Sequence, residues 1–298
     1  MDLLRGNRGR RLVAGIPTLW LLALFLAPFL IVLKLSFSEV RLAVPPYAPL
    51  FTWLHGLPVP ALHFGNYAFL FTDSLYVSSY LYSLQVAVVS TLCCLLLGYP
   101  MAYAVARAGP TARNVLLMLI VLPFWTSFLL RVYAWIGLLK GNGVINNVLL
   151  ALGVIHQPLT LLQTDLAVYV GIVYAYLPFM ILPLYANLEK HDLTLLEAAA
   201  DLGARPATAF LRITLPQSVP GIIAGSLLVF IPAVGEYIVP SLLGRTDQLM
   251  IGRVLSDEFF ENRDWPLASA VAILMLLLLV VPILWFQRQE SRQLEAGE

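Results

Sequence analysis

Residues 192–216 read "DLTLLEAAADLGARPATAFLRITLP". This polar, alanine-rich stretch separates two long apolar runs, and what it builds decides the fold. Asp192 can cap a helix start, and Thr194 with Glu197 forms a T-x-x-E pair of the capping-box kind, which satisfies orphan N–H groups. "LLEAAADL" is a strong helix-forming run, and Gly203 suits the left-handed position just past its end. Pro206 fits the first turn of a second helix carrying "ATAFLRITL", until Pro216 marks the entry to the next apolar run. The pattern predicts a helix–turn–helix outside the hydrocarbon, smoothed by alanines on one face so that another protein can approach closely.

The surroundings are membrane. The chain has 298 residues, 60% hydrophobic and 12% charged, with mean hydropathy +0.83. Soluble domains carry about 25% charge, so this chain lacks the polar surface to coat a water-soluble globule. A net charge of +1 gives no reason to expect nucleic acid. A span needs about 20 apolar residues, and the uncharged stretches predict six: Leu12–Leu33, Ser74–Ala106, Asn114–Leu130 extended past Arg131 to Leu139, Leu166–Leu188, Ile213–Gly235 and Leu267–Gln287. The first follows a basic cluster (Arg5, Arg8, Arg10, Arg11) but exceeds a typical signal-peptide core and has no A-x-A site after it, so it reads as a retained helix. The N-terminus, the 107–113 turn, the 189–212 loop and the C-terminus hold 11 of the 18 Lys and Arg. That bias places both termini in the cytoplasm.

Other features are quieter. The external loop 36–75 is rich in proline and aromatics, too apolar for a disordered linker, and would lie along the outer interface or against a partner. Residues 140–165 read as a turn and a short helix, and 244–265 as a third external segment. Cys93 and Cys94 are adjacent in an apolar run and read as packing residues. His55, His63, His156 and His191 lack metal-ligand spacing. A phosphate-binding loop needs Gly-Lys-Ser/Thr; the lysines are Lys34, Lys140 and Lys190, and glycine precedes none. Any ATP hydrolysis belongs to another chain.

Glu197-Ala198-Ala199, three residues, Gly203, nine residues, then Ile213-x-Leu215-Pro216 resembles the EAA signature of permease subunits of binding-protein-dependent ABC importers. The resemblance implies an all-α, six-span permease of the type I importer fold, multi-pass in the bacterial inner membrane. Residues 1–75 would be an N-terminal helix and periplasmic loop, 76–287 the five-helix transmembrane domain with its coupling loop at 189–216, and 288–298 a cytoplasmic tail. In that family the loop docks on the ATPase. Glu197, Ala198, Ala199, Asp201, Gly203, Ala204 and Pro206 would then form the docking element. The implied partners are an ABC ATPase dimer, a second permease subunit (a paralogue or a second copy), an external substrate-binding protein and lipid. No cofactor is expected on this chain, ATP being used by its partner.

"LPFWTSFLLRVYAWIGLLKGNGVINN", "FIPAVGEYIVPSLLG" and "IGRVLSDEFFENRDWPLASAVAI" are similar to putrescine/spermidine permeases. Chemistry agrees with that resemblance: a polyamine path wants carboxylates for ammonium groups and aromatic faces for cation–π and methylene contact. Glu236, bordering the Gly235 end of the fifth predicted span, is the one acid taken with the spans, roughly 30 Å along by helical rise. It would line the path or serve structurally, for instance by pairing with Arg131. Tyr237, Phe124, Trp125 and Phe230 are candidate aromatic walls, with Trp135 nearby, and core packing is the rival reading of each. The acids Asp257, Glu258, Glu261 and Asp264, interleaved with Arg253 and Arg263, would attract a cation, dock the binding protein or pair among themselves. Another cargo, such as a metal ion, thiamine or an amino-acid-like solute, remains an alternative. A secondary transporter would need more intramembrane charges or an inverted repeat, and an enzyme would need paired catalytic groups in the spans, which the sequence does not contain.

Overall fold

The computed structural model describes residues 7–49, 51–54 and 57–296. Arg5 and His55, named above, lie outside them, as does the end of the tail. Helix α1 (Asn7–Leu21), a π-helical turn (Leu22–Leu26) and α2 (Ala27–Ser36) form the first apolar helical stretch. The loop after α2 then folds in a way its sequence did not announce. Strands β1 (Phe51–Leu54) and β2 (Leu57–Pro60) pair antiparallel, Phe51 opposite Pro60 and Leu54 opposite Leu57, before α3 (Gly65–Thr72). Apart from this hairpin and a single antiparallel bridge between Val40 and Tyr47, the regular structure described is helical, as expected.

Next come α4 (Ser74–Arg107), α5 (Pro110–Val121), α6 (Phe128–Leu139), α7 (Val144–Ala151) and α8 (Asp165–Leu188). The coupling segment supplies α9 (Thr194–Asp201) and α10 (Pro206–Ala209), a π-helical turn (Phe210–Thr214) and α11 (Leu215–Val234). Helices α12 (Ile238–Leu243), α13 (Ile251–Phe260) and α14 (Trp265–Ala296) complete the chain. Among the described residues, five helical stretches are long and apolar enough to cross a membrane: Ala14–Ser36, Ser74–Arg107, Phe128–Ala151, Asp165–Leu188 and Pro206–Val234. The sixth expected segment, Leu267–Gln287, lies wholly on α14.

Three expectations need correction. The stretch Asn114–Leu139 is not one helix: it breaks at a 3₁₀ turn, Leu122–Trp125, followed by extended Thr126 and Ser127. Pro123 has no N–H to give an α-helix, and Thr126 takes up the Pro123 carbonyl through both its N–H and its hydroxyl. Pro216, by contrast, does not end a helix. The chain is helical from Pro206 to Val234, because Pro216 sits in the first turn after the π-helical turn, where neither its ring nor its missing N–H breaks a run. The T-x-x-E box does not form either. Asp192 Oδ1 accepts the Thr194 N–H at 3.0 Å, so this side chain, two residues earlier, does the capping.

The chain divides into two compact units. In residues 78–254, α8 packs along α11 through small residues. A Cβ on Gly221 would stand 2.7 Å from Asn187 Cβ, and one on Gly225 2.8 Å from the Met180 sulfur. Without a hydrophobic drive inside lipid, such close approach is what holds helices together. Cys94, Met180, Ile181, Leu184 and Val229 are buried at this seam. Cys94 is therefore a packing residue, as its position in an apolar run suggested.

The other unit comprises residues 1–77 and 255–298. Here α14 lies against α2 and α3. Phe37 contacts Phe64 and Tyr67, while Asn66 donates to the carbonyls of Ser36 and Ser38, tying the loop back to α2. The acidic run is split, Glu261 being exposed and Asp257 and Asp264 half-buried. Glu258 is buried and accepts from the Tyr76 hydroxyl at 2.7 Å and from Asn262 at 3.0 Å. Asp264 caps α14 by accepting the Leu267 N–H at 2.9 Å.

Candidate functional site

Two places in residues 78–254 carry the candidate residues. The first is the turn between α9 and α10. Gly203 takes φ +77°, and its N–H bonds the Ala200 carbonyl at 2.8 Å while Ala204 N–H reaches Ala199 at 2.9 Å. This is the paired closure of a Schellman motif, and it requires the left-handed residue that glycine supplies without strain. Arg205 is extended and Pro206 opens α10. Glu197, Ala198, Asp201 and Pro206 are exposed, Ala199 and Ala204 half-buried, and Leu202 is 88% exposed at the turn.

Behind this element, a cavity of about 230 Å³ is lined by Tyr103, Leu196, Ala200, Ala204, Pro206 and Phe210, among others. Phe210 meets Tyr99 and Tyr103 of α4 edge-on, at 5.7 and 6.2 Å between centroids. The Tyr99 hydroxyl lies 2.9 Å from Ser218 Oγ on α11. Arg113, at the start of α5, pairs with Glu189 at 2.6 Å just before the loop and also donates to the Ala106 and Ala108 carbonyls that end α4. The helix–turn–helix is thus anchored to α4, α5 and α11.

The second place lies where two spans break. One break separates α5 from α6 at residues 122–127; the other separates α11 from α12 at 235–237. Glu236, 7% exposed, sits in the second. Its Oε1 accepts the Ile238 and Val239 N–H groups at 3.0 and 3.3 Å, capping α12, and its Oε2 accepts the Tyr176 hydroxyl. The carboxylate neither reaches for an interface nor pairs with Arg131. It stands at the N-terminal end of α12.

From Tyr176 an aromatic row runs to the other break. Tyr176 and Phe179 lie 6.1 Å apart, and Phe179 meets Phe124 at 5.2 Å and 88°. The Arg131 guanidinium then lies over Phe124 at 5.3 Å and over Phe128 at 5.6 Å. Of the sequence candidates, the structure brings Glu236 and Phe124 into one line. Trp125, 79% exposed, instead walls a cavity with Leu117, Met118, Val121 and Leu122. Tyr237 is 44% exposed and Phe230 half-buried, and neither joins the row among the described residues. Trp135 packs on Tyr174 at 5.5 Å. Sequence reasoning missed Tyr176, Phe179 and Phe128. The signal for the first two was the "YAYLPF" run, polar aromatics beside a proline in an otherwise aliphatic span.

Helices interrupted within the hydrocarbon are tolerated where backbone is buried in protein or lines a cavity, and in transporters they build cargo sites. The family model described as binding-protein-dependent transport system inner membrane component matches residues 94–294. The chain is 40% identical over 282 residues to the spermidine/putrescine transport system permease protein PotB of Haemophilus influenzae, covering 95% of this chain and 94% of that one. Against PotB of Escherichia coli K12 the identity is 44% over 216 residues, covering 72% of this chain and 78% of the relative. A solved bacterial alginate ABC transporter, in complex with an alginate pentasaccharide-bound periplasmic protein, matches with TM-score 0.68 over 98% of both chains at 18% identity, a likeness of fold.

Proposed function

The chain belongs to the family of binding-protein-dependent transport system inner membrane components, and from that premise we propose how it works: as the polyamine-translocating permease subunit of an ATP-driven importer. It is a multi-pass component of the inner membrane and not itself an enzyme. The observation that carries the cargo class is the likeness to the spermidine/putrescine permeases along nearly the whole chain. The chemistry of the row supports it: one carboxylate and a line of aromatic faces suit a flexible polycation with methylene spacers.

In this reading six spans place both termini in the cytoplasm, and α9 with the Gly203 turn docks on an ATPase subunit. Glu197 and Asp201 seat the helix, Ala198 and Ala199 admit the partner closely, and the turn through Ala204 and Pro206 holds the docking angle. ATP is bound and hydrolysed by that partner, and this chain carries no cofactor of its own. A second permease subunit completes the pathway, and an external binding protein delivers the cargo and sets specificity. ATPase closure moves α9 and α10; Phe210 passes that motion to α4, and the continuous helix to Val234 passes it to the break at Glu236. The cargo site thereby opens to one side of the membrane at a time.

The test is uptake of radiolabelled putrescine and spermidine by cells carrying the assembled system. Gly203→Asp forces a β-carbon into the left-handed region, at a cost of about 1–2 kcal/mol, and adds a charge at the docking tip. Uptake is expected to fall at least tenfold, with the ATPase no longer co-purifying. Glu236→Gln is expected to lower uptake several-fold with ATPase retention unchanged. Normal uptake in Gly203→Asp would overturn the docking assignment, and absence of polyamine uptake by the unmodified system would overturn the cargo.

A further inference from the structure

Arg131 is a charge without an evident counter-charge. It lies near the start of α6, next to the break at residues 122–127, in an apolar span. Its Nε is buried with no hydrogen-bond partner, and no carboxylate among the described residues pairs with it. The one acid of the row is already engaged, with both Glu236 oxygens committed to Tyr176 and to the amides of α12. A lone cation inside a membrane protein is costly and marks function. What the guanidinium has instead is two rings, Phe124 at 5.3 Å and Phe128 at 5.6 Å. Phe124 carries the row on through Phe179 to Tyr176.

We propose that Arg131 is a tethered surrogate for the cargo: its guanidinium covers the Phe124–Phe128 faces that an incoming ammonium group uses, so a polycation enters the row only by displacing it. The inference rests on the reading of this row as a polyamine path. Ring faces attract any cation and stack especially well with guanidinium. A planar group already in place raises the threshold for every competitor. A polyamine meets that threshold with several ammonium groups at once, one toward Glu236 and others along the rings, whereas a monovalent cation has a single charge to offer. Arg131 thus selects for cargo carrying more than one charge and keeps the row occupied between cycles. Phe124 and Phe179 are 36% and 39% exposed in the single chain, so neither ring is sealed in the core.

The test measures binding of radiolabelled spermidine to the purified importer complex in nanodiscs, without the binding protein, for the unmodified complex and three variants. Arg131→Ala uncovers the rings and is expected to tighten spermidine binding about tenfold, and binding of a monoamine such as butylamine by more. Arg131→Met removes the charge but leaves a side chain over the rings, so it is expected to change binding by less than about threefold. Glu236→Gln is expected to weaken spermidine binding. Equal tightening in Arg131→Ala and Arg131→Met would mean simple charge repulsion and overturn the surrogate. Unchanged or weaker binding in Arg131→Ala, with Glu236→Gln still weakening it, would overturn the surrogate and leave the path reading standing. No effect from Glu236→Gln or Arg131→Ala would remove the row from the path altogether. Co-purification of the ATPase with each variant shows that the subunit has folded and assembled.

Discussion

Gly203 adopts φ +77° with nothing within 4 Å of the place a Cβ would occupy, so its requirement is conformational and not steric. That is why a single residue could be read from the chain alone: the left-handed turn is demanded by local geometry. Glu236 was equally conspicuous as an acid among apolar residues, but its role was not. Only the structure shows the carboxylate capping α12 and holding Tyr176. Asp264 offers a pH test at this scale. Burial holds its carboxyl above the ordinary value, the Leu267 N–H pulls it back in part, and the nearby Glu258 carboxylate raises it further. The folded state therefore takes up this proton more readily than the unfolded chain. Stability contributed at this site is least at neutral pH and grows as pH falls through the raised value toward the ordinary one near 3.8. Asparagine caps a helix about as well as aspartate. Asp264→Asn is thus expected to melt at or above the unmodified protein at pH 7, with the gap narrowing as pH is lowered to about 4.5. A gap that widens on acidification would show that the carboxylate is stabilising there.

Breaks matter more than spans at the scale of elements. The α11–α12 break is held from behind by α13, where a Cβ on Gly252 would stand 2.4 Å from the Gly235 carbonyl oxygen and 2.9 Å from that of Glu236. Backbone cannot swing away as a side-chain tip does. Gly252→Ala must therefore shift α13 or the break itself, at a cost of about 1–3 kcal/mol. Thermal unfolding of the purified chain in detergent is expected to drop by several degrees. Gly137→Ala, where a Cβ meets nothing within 4 Å, serves as the comparison and should be neutral or stabilising. Equal behaviour of the two variants would mean that the contact at Gly252 is slack. The elements also show where sequence reading stopped. Pro123 breaks its helix while Pro178, Pro183 and Pro220 lie inside theirs, because neighbouring helices and turns decide whether freed carbonyls find partners. Nothing in the local sequence distinguishes these prolines.

For the whole molecule, six spans with both termini inside predict opposite accessibility for the tail and the 140–165 segment. Single cysteines placed by Ser291→Cys and Asn142→Cys can be probed in intact cells with an impermeant maleimide, Cys94 being buried and Cys93 replaced. Asn142→Cys is expected to label from outside, and Ser291→Cys only after permeabilisation. Labelling of both from the same side would require an even number of spans between residues 142 and 291.

The sequence by itself determined the membrane class, the apolar segments, and the helix–turn–helix with its Gly203 turn and Pro206 start. Each of these is written in contiguous residues: hydropathy over about 20 positions, or a cap and turn over five. Only the tertiary structure decided which polar and aromatic residues meet. Tyr176 and Glu236 are 60 positions apart, and in spans apolar on every side no periodic pattern marks the face that turns inward. The row from Glu236 to Arg131 exists because α8 brings Tyr176 and Phe179 between two broken helices. Where a helix breaks, and what then faces the gap, is set by packing between distant segments.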